Sequence, residues 1–355
     1  MKLTVNKSEF LRKIKTVSKV VKDNKIRPVI SLVRLVAGDK LELQGTDLEQ
    51  TSISVIEANI EQSGSVCLKA TDVIESLSLE DSENIEIEAS EGMCRIGNMQ
   101  FATGNAEEYP KIDETLGEYK EINKNELISQ IKKTIFCAAT DISNIAVSVV
   151  RIDKDIITAT DSYRMVLNKY DTGIEASIPV GSIRNVLAVL EGTKENEIGL
   201  IVNNSKLQIK TTDYVYTTRL IDLAFPDVRG IIQNSSREKK AVLNILKIEK
   251  SLRKVSIASS KNQEAKDSAI FTFKKGKLEI KANSQAVKAK ESVPCEYDGE
   301  DVKTSLNVKY LLDFVSNINS NLVIEFSNNV SPFTLTAEGN QDYKYVTMPL
   351  AMKEE

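Results

Sequence analysis

A threefold repeat constrains this chain more than any single motif. Residues 8–22 read as a helix whose apolar stripe is Phe10, Ile14, Val17 and Val21, with Ser8 as the expected N-cap. The pattern returns over 125–139, through Leu127, Ile131, Ile135 and Ala138, and over 245–258, through Ile245, Ile248, Leu252 and Val255. The starts at Ser8, Asn125 and Ile245 lie 117 and 120 residues apart, the length of one ordinary domain. A shorter helix follows in each third, at 71–77, 180–187 and 307–312, after several β-branched runs. Residues 85–88 alternate as a half-buried strand does. Two hairpins are expected, one turning at Asp153-Lys154-Asp155 and one at Lys274-Lys275-Gly276-Lys277. Each third closes on an extended run, at Tyr109-Pro110, Phe225-Pro226 and Met348-Pro349. The expectation is an α+β chain of three similar domains, 1–116, 117–237 and 238–355, with boundaries near Leu116 and Arg237. Each would pack two helices against antiparallel β-sheets.

Composition removes most enzyme classes. The chain has no histidine, which excludes Ser-His-Asp and Cys-His catalysis and the usual imidazole metal sites. No phosphate-cradling glycine loop is present, so no nucleotide cofactor is expected, and no metal either. Asp161 and Asp227 are the best candidates for carboxylate chemistry, and each also fits a turn or helix cap. Cys67, Cys94, Cys137 and Cys295 are scattered without a CxxC pair, as suits small core residues in a reducing cytoplasm. No apolar run approaches the roughly 20 residues a bilayer span needs, so no membrane is expected, and residues 1–5 read as a strand.

Basic residues recur on equivalent helices. Arg12, Lys15, Lys19 and Lys22 run opposite the first apolar stripe, and Lys247, Lys250, Arg253 and Lys254 do so in the last third. Lys132 and Lys133 are a weaker middle counterpart. Against 47 Lys and Arg the chain carries 51 Asp and Glu, a net charge of −4, so it would not coat DNA indiscriminately. Such stripes suit phosphate contacts that do not read bases, and the alternative is a set of solvated helix faces.

Three segments carry a family resemblance: Thr158-Ala159-Thr160-Asp161-Ser162-Tyr163-Arg164-Met165, Arg219-Leu220-Ile221-Asp222-Leu223-Ala224-Phe225-Pro226-Asp227, and Tyr345-Val346-Thr347-Met348-Pro349-Leu350. Together they resemble the partner-peptide pocket of the bacterial beta sliding clamp, and the resemblance runs the length of the chain. It implies a head-to-tail homodimeric ring whose helices line a hole for double-stranded DNA. It also implies partners that dock a short motif, a Gln with one or two large apolar residues: the replicative polymerase, the clamp loader and other motif-bearing proteins. The matching pocket positions are Thr160, Ser162, Tyr163, Arg164 and Met165, Pro226 and Ile231, Val330 and Pro332, and Val346, Thr347, Met348, Pro349 and Leu350. In this reading Arg164 is a donor to the peptide. Met99 and Phe101 would meet Ile257 and Ala258 across the dimer contact. The alternative makes Met165, Met348, Leu350 and the four dimer positions ordinary core or strand residues.

The sequence departs from the family pattern at Gly230 and Ala351, where arginine is common, and at Tyr163, where histidine is. The tail, Met352-Lys353-Glu354-Glu355, adds acid beside the groove. Two other readings compete: a hydrolase or transferase using buried carboxylates, and a repeated β-rich scaffold that binds proteins and never touches DNA.

Overall fold

The computed structural model describes residues 1–90, 92–112, 117–141, 143–203, 205–233 and 237–352. Boundary residue Leu116 and tail residues Lys353, Glu354 and Glu355 lie outside them. The chain groups into two compact units, Met1–Ser129 with Ile174–Asp222 and Gln130–Gly173 with Leu223–Glu355. Strand pairing across the sequence repeats accounts for this grouping, because Tyr214–Arg219 pairs with Gln50–Ile56 and the start of Arg164–Pro179 pairs with Asn340–Thr347.

The helices are α1 (Lys7–Val17), α2 (Ala70–Ser78), α3 (Lys124–Lys132), α4 (Val180–Gly192), α5 (Val228–Gln233), α6 (Ile245–Ser259) and α7 (Val308–Val315). All six helices expected from the repeat form, and α5 on the connector is additional. In the first unit, α1 packs on α2 and α4. A five-stranded antiparallel sheet runs in the order Ala58–Gln62, Lys2–Asn6, Asn84–Ser90, Met93–Ile96, Met99–Ala102. An eight-stranded sheet joins Lys120–Asn123 at one edge to Gly64–Leu68 at the other. In the second unit α6 packs on α7, and a ten-stranded sheet begins with Val149–Thr160, Arg164–Pro179 and Asn340–Thr347.

The first N-cap is Asn6, not Ser8. The strand Lys2–Asn6 runs straight into α1, and Asn6 Oδ1 accepts from Glu9 N at 3.1 Å. The device repeats: Asn123 accepts from Glu126 N, Asn244 from Lys247 N and Asn307 from Tyr310 N. Each first helix in the repeat thus starts on a strand-terminal asparagine.

Two helices stop before the expected ends. α1 yields at Val17 to a 3₁₀ turn, Ser18–Val20, where the β-branched Val17, Val20 and Val21 crowd the last turn. Gly45 comes so close that a Cβ there would sit 2.8 Å from the Val17 carbonyl oxygen. α3 ends at Lys132, and Thr134 turns its hydroxyl back to the Gln130 carbonyl at 2.8 Å. The hairpin expected at 153–155 does not form. Val149–Thr160 is one strand, Lys154 takes a positive φ of 54°, and the reversal to Arg164–Pro179 comes at Asp161–Tyr163. The acidic run looked like a turn because it is exposed and charged, but Asp153 and Asp155 instead meet Arg229 of α5. The other hairpin forms as expected, with Lys274 opposite Lys277 and Gly276 at φ 77°.

All four cysteines are buried free thiols; burial pushes Cys67 up to about 12 and Cys94 and Cys295 to about 11, as fits core residues.

One ionic cluster anchors α1. Lys13, nearly fully buried, donates to the Val55 carbonyl at 2.6 Å and meets Glu9 at 2.9 Å and Asp213 at 2.8 Å. Arg12 reaches the Gly192 carbonyl at 2.7 Å and Asp213 at 3.1 Å. Burial raises the Asp213 carboxyl, but Lys13 and Arg12 outweigh it and hold the group below its ordinary range. Asp213→Asn is expected to cost roughly 2–3 kcal/mol, since it leaves Lys13 under-compensated. A depressed carboxyl contributes stability above its unfolded value of about 3.9 and loses it as pH falls through the folded value. Denaturant unfolding at pH 7 and under acid should therefore show the variant's deficit at pH 7 shrinking toward zero in acid. A deficit unchanged with pH would show that the cluster does not act through this charge.

Candidate functional site

The hairpin at Asp161 is built by its own side chains. Asp161 Oδ1 accepts from Tyr163 N and Arg164 N, both at 3.0 Å, and Thr160 Oγ1 accepts from Ser162 N at 3.1 Å while donating to the Arg164 carbonyl at 2.7 Å. Ser162 sits at φ 77°. This leaves Tyr163 exposed at the tip.

Arg164 turns inward, contrary to the expectation that it donates to a peptide. Its Nε meets Asp161 Oδ2 at 2.9 Å, one terminal nitrogen meets Asp313 Oδ2 at 2.6 Å, and the other donates to the Phe136 carbonyl at 2.7 Å. The guanidinium also lies 4.0 Å from the Tyr310 ring centroid. Its fork is committed to holding the hairpin. Phe136, Tyr310 and Asp313 are thus positioning residues that sequence reasoning missed; Asp313 is 149 positions away in the chain, and no local pattern links the two.

Against this hairpin lies the last strand. Arg164 is opposite Thr347 and Met165 opposite Val346, and Met348 N donates to the Tyr163 carbonyl at 2.9 Å. Tyr343 and Tyr345 fix the strand from its other face, where Tyr345 stacks on Phe314 at 5.1 Å and donates to the Tyr310 carbonyl at 3.0 Å. Leu350 N donates to the Ser305 carbonyl at 2.8 Å. Phe333, next to Pro332, is opposite Thr347.

The connector completes the site. Met165 and Val346 are buried in one apolar cluster with Ile156, Val228 and Ile232, flanked by Leu167 and Phe225. Asp227 Oδ1 accepts from Gly230 N at 2.9 Å and so caps α5. A Cβ at Gly230 would lie 2.3 Å from Asp227 Oδ2, so cap and glycine go together. Asp161 and Asp227 are therefore turn and cap residues, as their spacing allowed. Of the expected pocket, Met165, Val346, Thr160 and Thr347 are buried, whereas Tyr163, Ile231, Val330 and Met348 expose large apolar surface. Pro226 is exposed, and Pro332, Pro349 and Leu350 are half-buried. Core and pocket readings are thus both partly right: the first set makes a floor and the second a rim.

The basic positions divide similarly. Lys15 and Lys19 in the first unit, and Lys247 and Lys250 on α6, are exposed and have no ion-pair partner among the described residues. Arg12 is committed to the α1 anchor, and Lys22 lies 2.6 Å from Asp47 beyond the helix end. Lys132 is exposed, and Lys133 lies 5.9 Å from the Tyr343 ring centroid. Arg253 pairs with Glu249 at 2.6 Å and Lys254 with Glu291 at 3.0 Å. The expected continuous stripes are interrupted because acidic neighbours from other segments fold onto them.

At the expected dimer positions, Met99 and Ile257 are exposed, Phe101 packs half-buried on the core, and Ala258 is fully buried. Ala258 is a core residue and cannot face a partner. Leu79 and Leu246, both strongly exposed, were passed over. No helix among the described residues is long and apolar enough to cross a membrane.

Comparison with known proteins matches the chain, in order, to the DNA polymerase III beta subunit N-terminal domain over 1–113, its central domain over 121–227 and its C-terminal domain over 234–351. The beta sliding clamp of Pseudomonas aeruginosa is 25% identical over 372 residues, covering 99% of this chain and 100% of the relative. That of Caulobacter vibrioides is 26% identical over 375 residues, with the same coverage. Among solved structures, DNA polymerase III beta subunits from Thermotoga maritima and Streptococcus pneumoniae superpose with TM-scores of 0.90 and 0.91 at 22% and 21% identity. Each covers 99% of this chain and 100% of its own. With all three domains matched in order, the chain belongs to the DNA polymerase III beta subunit family, the bacterial beta sliding clamps.

Proposed function

We propose that this chain is a DNA sliding clamp, a non-catalytic processivity factor. Two copies encircle duplex DNA, and a peptide pocket between the central and C-terminal domains tethers the replicative polymerase, the clamp loader and other motif-bearing partners. The observation that carries the tethering role is the exposed rim of Tyr163, Ile231, Val330 and Met348 beside the buried floor of Met165 and Val346. A concave apolar site with a stiff wall suits a short motif that anchors through large apolar side chains. A structure of a Pseudomonas aeruginosa sliding clamp bound to griselimycin has the same fold, with a TM-score of 0.88.

The dimer contact uses Met99 and Ile257, with Phe101 as backing. Met99–Ala102 is the outermost strand of its sheet, which suits pairing with another chain. Lys15, Lys19, Lys247 and Lys250 supply phosphate contacts weak enough to permit sliding, and topology rather than grip retains the ring. Its place is the cytoplasm, where a bacterial chromosome is copied.

Retention on a nicked circle against the same DNA linearised, after loading by a matched loader at high salt, tests the ring. Retention on the circle alone is the expected result; equal loss from both, with the loader active on a control clamp, favours the scaffold. Replacing the four lysines with alanine should make the salt dependence of DNA association shallower by roughly 3 in log–log slope. An unchanged slope would remove these lysines from the DNA contact.

A further inference from the structure

The pocket floor does not end where the family motif would. Met165, Leu167 and Lys169 point to one face of their strand, and their partners there are Val346, Lys344 and, through an ion pair at 3.9 Å, Asp342. α5 packs its Val228 and Ile232 against the Met165 end of this face. Beyond them opens a cleft of about 220 Å³ with an apolar base of Ile156, Leu167 and Ile232. Ile156 and Ile232 belong to the same buried cluster as Met165 and Val346, so cleft and pocket share one floor.

The charges around the cleft are unevenly matched. Arg229 lies 2.5 Å from Asp155, and Lys169 meets Asp342. Lys344, half-buried between these pairs and directly across from Leu167, has no ion-pair partner among the described residues. The site therefore offers one apolar depression and one unmatched ammonium.

We propose that this cleft is an extension of the peptide pocket that takes the flank of a partner's motif, specifically an apolar residue followed or preceded by a carboxylate. The proposal rests on the pocket reading given above. The apolar side chain covers Leu167 and Ile232, and the carboxylate pairs with Lys344. Four residues of extended chain span roughly 13 Å, enough to run along the face from Met165 to Lys169. Partners that share the same core motif would then be ranked by their flanks.

Two synthetic peptides test this on the full-length protein by fluorescence anisotropy. One carries only a Gln and two Leu in motif spacing, and the other adds a flank with one Leu and one Glu. The longer peptide is expected to bind about tenfold tighter. Lys344→Glu should remove most of that increment and leave the short peptide's Kd unchanged, and a Lys in place of the flank Glu should restore binding to the variant. Lys344→Gln, a milder change, should give an intermediate loss. If the short peptide binds but the flank adds nothing, or adds equally in Lys344→Glu, the extension is overturned and the pocket stands. If the short peptide fails to bind the unaltered protein, the pocket reading falls and takes the extension with it.

Discussion

Removing residues 348–355 is expected to raise the Kd for a motif peptide at least about 100-fold while leaving a folded dimer. The deletion takes away Met348, which is exposed on the rim, and the Met348 N to Tyr163 carbonyl bond that fixes the last residues against the hairpin. It also removes the Leu350 N to Ser305 carbonyl bond. The fold should survive because Asn340–Thr347 keeps a paired neighbour on each side, and Tyr343 and Tyr345 stay packed on Phe314. Two backbone bonds lost near the surface cost on the order of 1–3 kcal/mol. Met348→Ala, which keeps the backbone, should weaken the peptide by about tenfold. Anisotropy gives the affinity and light scattering the oligomeric state. Peptide binding that survives the deletion would place the partner site elsewhere on the molecule.

Arg164→Ala is expected to destabilise the protein by about 3–5 kcal/mol and to abolish peptide binding with it. The guanidinium is almost wholly enclosed and satisfies Asp161, Asp313 and the Phe136 carbonyl at once. Truncation leaves two carboxylates and a carbonyl without their donor and removes the cation over the Tyr310 ring. Arg164→Lys keeps the charge but cannot reproduce a three-way fork, so it should recover less than half of the loss. Denaturant unfolding measures the stability, and peptide affinity at a temperature where the variant is folded measures the site. If Arg164→Ala were as stable as the parent yet failed to bind, Arg164 would act as a direct donor to the peptide, and the inward geometry would not describe its role.

Both experiments address a site whose residues were legible in the sequence but whose division of labour was not. Residues 160–165, 226, 231 and 346–350 were recognisable as matching segments because each is contiguous. Their pattern did not distinguish Met165, which is buried under α5, from Met348, which is exposed, since both are methionines beside a β-branched neighbour. Ala258 was misassigned to an interface for the same reason: its helical position put it beside the exposed Ile257, and only the packing of α6 shows that the two residues face opposite ways. Gly230 has its explanation in Asp227, three positions earlier, where a cap and a missing Cβ are a single feature.

What the sequence alone determined were the features that depend on near neighbours. Helical periodicity placed all six repeated helices, alternation placed the strand Asn84–Ser90, and Lys275-Gly276 placed a two-residue hairpin turn. The absence of histidine and the tripled pattern pointed away from catalysis and toward a clamp-like chain. The strand-ending asparagines, at 117 and 121 residues' spacing for the first three, were also present to be read. Tertiary structure decided what depends on residues far apart in the chain. It made Asp153-Lys154-Asp155 part of a continuous strand, because Arg229 compensates its charge and the reversal is better served by Asp161. It turned Arg12 and Arg164 from surface cations into anchors by bringing Asp213 and Asp313 beside them. A charge in water and a charge in a folded protein differ by their desolvation and their partners, and a linear sequence specifies neither until the chain has closed on itself.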